Sequence, residues 1–381
     1  MKDLKDIRAR IDGIDKEFSR LFLERMDASA DVAEYKRATG KPIFDRTRER
    51  QNIAAASERV PPEFANYAAV IQSVLMEASR EKQYRVLKQQ SPLASSIELA
   101  LSVSPSLFPR QAHVACQGVE GAYQQIAVDR MFRRSSLSFF SSFDQVFSAV
   151  ETGAAEFGVL PIENSTAGSV NQVYDLMMQH DFHIVRSCRL KIDHNLLVKP
   201  GMSKDDVRII YSHQQAISQC ANYISHIPNC RVHVCENTAK AAEMVSQSDR
   251  NDVAALASRS CADLYGLRIA EQSVQDNQNN YTRFACISKD LIIYPGADRA
   301  SLMLVVNHEP GALYNVLARF YALDINLIKL ESRPIANRDF EFMFYFDIEC
   351  PAAAPEFRML MNSLTDVCDE FRYLGSYAEV V

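Results

Sequence analysis

Three stretches of this chain carry residue types at spacings that could do chemistry. The first is Phe157-Gly158-Val159-Leu160-Pro161-Ile162, followed by Glu163-Asn164-Ser165-Thr166-Ala167-Gly168-Ser169-Val170. Its apolar part reads as a short buried strand, and Val170 to His180 has helical periodicity. A strand feeding a helix sets free N–H groups and the positive dipole end beside Asn164, Ser165, Thr166 and Ser169, a seat for an anionic small molecule. Glu163 makes the seat unusual, because a carboxylate beside an anion site either repels the ligand or is held protonated as an acid. The plainer reading is that Asn164, Ser165 or Thr166 N-caps the helix and Glu163 stabilises its first turn.

The second set lies near the N-terminus. Arg25 and Lys36 are eleven residues apart in a helical pattern, so they share a face about 16 Å apart, a span two long side chains can close over one ligand. Arg8 is about 42 Å from Lys36 on the same helix, so it can serve that site only from a second copy of the chain. Asp45, Arg48 and Glu49 fall on one face of the next helix, and Ser79 and Gln83 on one face of a third. Charged helical faces are ordinarily just solvated. The third stretch is Gln275 to Phe284, a polar loop entering an apolar strand, with Thr282 and Arg283 at the junction. Nothing local separates it from an ordinary loop.

These motifs resemble known families. Pro161-Ile162-Glu163-Asn164-Ser165 and Thr282-Arg283-Phe284 are similar to signatures of the prephenate dehydratases, and the helical positions Arg8, Arg25, Lys36, Asp45, Arg48, Glu49, Ser79 and Gln83 fill the pocket pattern of the helical chorismate mutases fused to them. The resemblance implies that Arg8 from the partner, Arg25 and Arg48 hold carboxylates, that Lys36 and Gln83 face the ether oxygen, and that Asp45 and Glu49 take the hydroxyl side. Chorismate rearrangement is unimolecular and needs no cofactor, so holding the reactive conformer and stabilising charge on the ether oxygen is enough. For the dehydratase it implies Thr282 on the leaving hydroxyl, Glu163 as a candidate acid, and Asn164, Ser165 and Gln219 positioning substrate. Arg283 either holds a carboxylate or makes a salt bridge inside the fold. Gln214 departs from the family, which usually has proline there. His194 and His213 read as structural histidines.

The elements that must position these groups follow from periodicity. Asp3 to about Thr39 is one long helix, closed by Gly40-Lys41-Pro42; a second runs from near Asp45 to Arg59 and a third from Glu63 to Lys88. Such a segment cannot cover its own apolar stripe and needs a partner, most simply a second copy. Residues 91–111, rich in serine and proline, read as a linker with a short helical turn around Ile97 to Leu101. Residues 112–290 alternate strands and helices in two lobes, with a cleft between them where ligands go. From 298 to 381 the order is βαββαβ: strands Ser301–Asn307, Asn326–Arg333, Phe340–Cys350 and Phe371–Val380, helices Gly311–Ala322 and Pro355–Leu364. Gly311-Ala312-Leu313 and Glu331-Ser332-Arg333-Pro334 look like the phenylalanine-binding motifs of the ACT domain. The expected fold is an all-α mutase domain over 1–90, a two-lobed α/β dehydratase domain resembling the periplasmic binding proteins, and a ferredoxin-like ACT domain. In the family, phenylalanine binds between paired ACT domains and lowers activity.

Composition limits the alternatives. The chain has 381 residues and a net charge of −6, with no long run of one sign, which argues against nucleic acid or membrane partners. Residues 1–90 carry +3 and the rest −9. Nine cysteines form no Cys-x-x-Cys pair and read as reduced core residues, and the eight histidines show no metal-ligand spacing, so no metal is expected. The N-terminus has no apolar leader, which points to the cytoplasm. Two rivals remain: a monofunctional dehydratase whose helices only dimerise, and a phenylalanine-sensing binding protein with a dead cleft. The filled mutase pocket opposes the first, and Thr282 with Glu163 opposes the second.

Overall fold

The computed structural model describes residues 3–87, 90–306, 308, 310–335, 338, 341–365, 368 and 370–381. The expected element ends at Lys88, Asn307 and Phe340 lie outside these residues. The chain forms two units: the N-terminal segment to Ser96 with Gly311–Leu323 and Pro355–Cys368, and Ile97–Pro310 with Asp324–Ala354 and Asp369–Val381.

In the first unit, helix α1 spans Leu4–Thr39 as one uninterrupted rod. Asp3 caps its start by accepting from the Lys5 N–H, and Gly40 ends it at φ 67°, the left-handed turn that glycine adopts without strain. Asp45 caps α2 (Arg46–Glu58), and α3 (Ala65–Leu87) follows the Pro61-Pro62 break. Both α1 and α2 pack on α3. Along α1, Ile7, Ile11, Ile14, Phe18 and Leu21 remain 40% to 58% exposed, an apolar stripe that a single copy leaves uncovered. No helix among the described residues is long and apolar enough to cross a membrane.

The stretch expected as linker contains a twelve-residue helix, α4 (Pro92–Val103). Ser91 caps it through the Ala94 N–H, Pro92 suits the first turn, and Ser96 and Ser102 return their hydroxyls to carbonyls three residues back. Serine-rich composition therefore hid a helix whose Ala94, Ile97 and Ala100 are buried at helical spacing.

The second unit begins with β1 (Gln111–Gln117), α5 (Tyr123–Met131), β2 (Arg134–Phe140), α6 (Phe143–Glu151), β3 (Phe157–Asn164), β4 (Gly168–Ser169), α7 (Asn171–Met177) and β5 (His183–Lys191). The chain then builds a second lobe from β6 (Asn195–Val198), β7 (Ile209–His213), α8 (Gln214–Gln219), α9 (Ala221–Ser225), β8 (Arg231–Cys235), α10 (Thr238–Gln247), β9 (Val253–Ala257), α11 (Arg259–Tyr265) and β10 (Arg268–Glu271). Strand β11 (Tyr281–Ser288) returns to the first lobe and lies between β5 and β3, antiparallel to both. The lobes are a seven-stranded sheet and a five-stranded sheet of order β10-β6-β9-β7-β8.

The C-terminal part runs β12 (Arg299–Val305), α12 (Ala312–Ala322), β13 (Asn326–Pro334), β14 (Phe342–Glu349), α13 (Pro355–Thr365), β15 (Glu370–Tyr377) and β16 (Glu379–Val380). Four of these strands form an antiparallel sheet of order β13-β14-β12-β15. Met303, Val305, Met343, Tyr345, Leu374 and Tyr377 of that sheet share one core with Phe147 of α6, Ile162 of β3 and Tyr174 of α7. The expected last strand is split: β16 leaves the four-stranded sheet and joins β5 in parallel.

Gly375 sits where this sheet meets β5. Its φ is 135°, and a Cβ there would lie 2.2 Å from the Ile184 carbonyl oxygen. Gly375→Ala should therefore cost roughly 3 kcal/mol, from overpacking plus backbone strain, and lower the thermal midpoint by several degrees. Scanning calorimetry checks this; an unchanged midpoint would mean that the sheet can move off β5 freely.

Candidate active sites

Between the two lobes lies a cleft of about 620 Å³, lined by Gln117, Tyr123, Asn164, Gln219, Thr282 and Phe284 among others. Among the described lining residues none is lysine or arginine, and Glu236 is the one carboxylate. A β-bulge sets which residues reach the cleft. Arg283 pairs with Glu163 and Phe284 with Pro161, so Ile162 is an extra residue on β3. Strict alternation would put Glu163 on the cleft face with Pro161. The bulge shifts the phase by one, so Asn164 enters the cleft opposite Thr282 and Glu163 turns to the other face with Arg283.

Asn164 is the centre of the cleft network. Its Oδ1 accepts from the backbone N–H groups of Thr166 at 3.1 Å and Ala167 at 2.9 Å. Backbone N–H groups only donate, so the sense of the amide is settled, and Nδ2 must donate to Thr282 Oγ1 at 2.9 Å and Asn280 Oδ1 at 2.8 Å. Thr282 is 8% exposed. With a lone pair of its hydroxyl occupied by Nδ2, its own hydrogen is left to donate.

The same logic runs across the cleft. Gln219 Nε2 donates to Thr166 Oγ1 at 2.7 Å, so its Oε1 accepts from Asn280 at 3.0 Å and must accept from His194 Nε2 at 3.0 Å. His194 is therefore the Nε2–H tautomer, with Nδ1 buried and unpartnered. Burial holds its pKa below the usual imidazole range, the Gln219 bond acting in the opposite sense. His213 lines the cleft and its Nδ1 accepts from the Gln215 N–H at the start of α8. The turn at Gln214, where the family has proline, thus forms with a histidine cap.

Two expectations for the first stretch are corrected. The strand does not feed a helix directly, because β4 folds back on β3 and α7 begins at Asn171 with no side-chain cap. Ser165 is outside the cleft lining; its hydroxyl donates to the Asn279 carbonyl and accepts the Tyr281 N–H, both at 2.9 Å, which ties the loop before Thr282 to the β3–β4 turn.

Glu163 and Arg283 are likewise not brought to Thr282 in the cleft. Glu163 Oε2 is 3.4 Å from Arg283 Nη2 and its Oε1 3.2 Å from Lys329 Nζ. Arg283 also pairs with Asp347, which is fully buried on β14. Burial opposes the Arg283 cation, but Asp347 beside it more than offsets that and raises the guanidinium above its ordinary range. Of the two roles left open for Arg283, this is the internal salt bridge.

In the helical unit, Arg25 donates to Ser79 Oγ and to the Leu75 carbonyl at 2.9 Å. Gln83 Nε2 reaches the Ser79 carbonyl at 3.2 Å while its Oε1 is buried without a partner. Lys36 donates to the Ile43 carbonyl; burial lowers its pKa, while Asp45 and Glu49 raise it and Arg80 lowers it further. Asp45 caps α2 through the Arg48 N–H at 3.0 Å, and both residues are exposed. Arg8 is exposed near the start of α1, away from this group. Arg80, which the spacing argument missed, is 5% exposed and pairs with Glu49. Its signal was adjacency to Ser79 on α3 in a sequence where lone helical arginines are normally solvated.

Gly311 is the N-cap of α12 at φ 87°, with Ala312 and Leu313 in the first turn. Glu331 accepts from Ser169 Oγ at 2.7 Å, and Ser332 is exposed.

The prephenate dehydratase family model matches residues 114–291, and the type II chorismate mutase model matches residues 7–84. A bifunctional chorismate mutase/prephenate dehydratase of Enterobacter agglomerans is 30% identical over 97% of this chain and 95% of its own length. Arogenate dehydratase/prephenate dehydratase 2 of Arabidopsis thaliana is 35% identical over 78% of this chain and 81% of its own. The crystal structure of the Arthrobacter aurescens prephenate dehydratase in complex with L-Phe superposes with a TM-score of 0.64 at 25% identity, covering 70% of this chain and 89% of that one.

Burial lowers the pKa of His183, His194 and His213 alike. The unfolded chain, with imidazoles near about 6.5, takes up these protons first, so the stability they carry is present above that pH and is lost as pH falls through it. The thermal midpoint should drop between about pH 7 and 5, with a shallower slope in His194→Gln. A midpoint flat over that window would contradict the neutral assignment.

Proposed function

This chain belongs to the bifunctional chorismate mutase/prephenate dehydratase family, and from that premise we propose how its residues divide the two reactions. It isomerises chorismate to prephenate, then converts prephenate to phenylpyruvate with loss of water and carbon dioxide, in phenylalanine biosynthesis.

For the dehydratase, the observation that carries the reading is the settled polarity of Asn164. Thr282 receives the Asn164 amide and directs its own hydrogen at the leaving ring hydroxyl. As the bond to the departing carboxylate breaks and carbon dioxide forms, its electron pair enters the ring and the ring C–O bond breaks; the hydroxide leaves hydrogen-bonded to Thr282 and takes a proton from solvent to become water, aromatisation driving the step. Gln219 and Asn164 position the substrate. Glu163 and Arg283 act from behind the strands.

For the mutase, Arg25 binds a carboxylate and Lys36 with Gln83 meets the ether oxygen, where charge develops in the transition state. Arg48 binds the second carboxylate, Asp45 and Glu49 serve the hydroxyl side, and Ser79 orients Arg25. Arg8 comes from a second copy, whose α1 covers the exposed stripe of the first. A homodimer is thus the smallest active form.

The C-terminal βαββαβ part is read as a ferredoxin-like ACT domain. The A. aurescens relative was solved with L-Phe. Carried to this chain, L-phenylalanine is the effector, assigned to Gly311, Ala312, Leu313, Glu331 and Ser332, and it lowers activity. The cytoplasm suits the buried thiols of Cys116, Cys188, Cys220, Cys261 and Cys286. Neither reaction requires a cofactor.

The test supplies purified protein with chorismate and follows chorismate loss and phenylpyruvate gain together, with and without L-phenylalanine. Phenylpyruvate should form and L-phenylalanine should suppress it. Thr282→Val should cut prephenate turnover about 10²- to 10³-fold with chorismate loss unchanged. If chorismate persists while added prephenate is consumed, the helices are only a dimerisation device; if neither is consumed, the cleft is a binding site.

A further inference from the structure

One charged side chain at the seam between the C-terminal sheet and the cleft strands has no part in the chemistry above. Lys329, on β13, is 9% exposed at its side chain. Its Nζ lies 3.2 Å from Glu163 Oε1, donates to Ser169 Oγ at 2.8 Å, and sits 5.0 Å over the Tyr174 ring. The ammonium is thus held by an ion pair, a hydrogen bond and the face of an aromatic ring. Two of the partners belong to one hairpin, because Glu163 on β3 pairs with Ser169 on β4. The next pair along that ladder is Asn164 with Gly168, and the turn between them supplies the two N–H groups that settle the Asn164 amide.

We propose that Lys329 is a positioning residue of the dehydratase: by clasping Glu163 and Ser169 from behind, it holds the β3–β4 hairpin at the offset that aims Asn164 at Thr282. The inference rests on the dehydratase reading above. It also gives Glu163 a role that its place outside the cleft left open. Ser169 Oγ donates onward to Glu331, so the motif strand β13 grips the hairpin at two points.

The experiment measures prephenate turnover and chorismate loss in full-length Lys329→Met, Glu163→Gln, the double variant and Arg372→Met. Arg372 docks the same sheet to the carbonyls of Met177 and His180, away from the hairpin, and reports what loosening the sheet alone does. Lys329→Met should lower kcat for prephenate about tenfold with KM within about twofold, while Arg372→Met and chorismate loss stay near the unaltered protein. The double variant leaves no stranded charge and should be no slower than Glu163→Gln alone, since both changes cut the same link. Equal losses in Lys329→Met and Arg372→Met, additive losses in the double variant, or undiminished kcat in Lys329→Met would each overturn the proposal. If Lys329→Met fails to fold, the double variant against Glu163→Gln decides. Unaltered protein that ignores prephenate would sink the dehydratase reading and this inference with it, whereas an active parent with an equally active Lys329→Met sinks the inference alone.

Discussion

The cleft depends on a carbonyl oxygen that has no choice of partner. Asn164 Oδ1 faces two backbone N–H groups, and those groups can only donate. From that point the sense of each hydrogen bond follows in order: Asn164 to Thr282 and Asn280, Asn280 to Gln219, His194 to Gln219. Reversing any one amide would set two acceptors or two donors face to face in a buried site, at a cost of about 1–3 kcal/mol per unmade bond. The network therefore has one polarity before substrate arrives, and the hydroxyl hydrogen it leaves free belongs to Thr282. Catalysis by preset dipoles needs this property, since nothing has to reorient as charge develops.

A single extra residue makes the two faces of β3 and β11 do different work. Ahead of the Ile162 bulge both faces are apolar and packed; beyond it, Asn164 and Thr282 look into the cleft while Glu163 and Arg283 look toward the C-terminal sheet. Arg283 there meets Asp347, whose Oδ1 also accepts from Ser301 at 2.5 Å. A buried pair of this kind adds little net stability over an apolar one, but removing one partner strands a charge, so it defines one arrangement of the two sheets. The C-terminal sheet is thus part of the wall behind the reacting residues. A ligand that bound two arrangements of that sheet unequally would act on Thr282 through its neighbour Arg283, with no need for a longer route.

Sequence reading succeeded where pattern and local chemistry agree. The alternation of strands and helices over 112–290 was legible because strands such as β9 (Val253–Ala257) are short apolar runs bounded by turns and buried on each face. The long α1 was legible from its spacing and its Gly40 stop. Reading failed where a three-dimensional event changed the phase. Glu163 was expected beside the substrate from its place in the Pro161-Ile162-Glu163-Asn164-Ser165 motif, and the bulge that turns it to the other face is silent in one sequence. The linker helix was hidden because its serines satisfy themselves on the helix backbone. Strand β5 carries a weak signal, since Arg186, Arg189 and Lys191 interrupt its apolar run, although it pairs with β11 along its length. Lys329 and Asp347 could not be foreseen, as their importance comes from partners more than a hundred residues away in one case and sixty-four in the other.

The two sites solve opposite electrostatic problems, and the residue types reflect it. Chorismate rearranges without losing a carboxylate, so a mutase gains by gripping both with fixed cations, the part that the proposed assignment gives to Arg25 and Arg48. Prephenate must shed one carboxylate as carbon dioxide. A cation seated against that group would stabilise the ground state more than the transition state, in which the charge is leaving, and would raise the barrier. The cleft accordingly presents amides, hydroxyls and neutral imidazole, while Arg283 and Lys329 are kept behind the strands and neutralised there by Asp347 and Glu163. The same cations serve the reaction by holding its donors in place, and being turned away from the substrate is what allows them to do so.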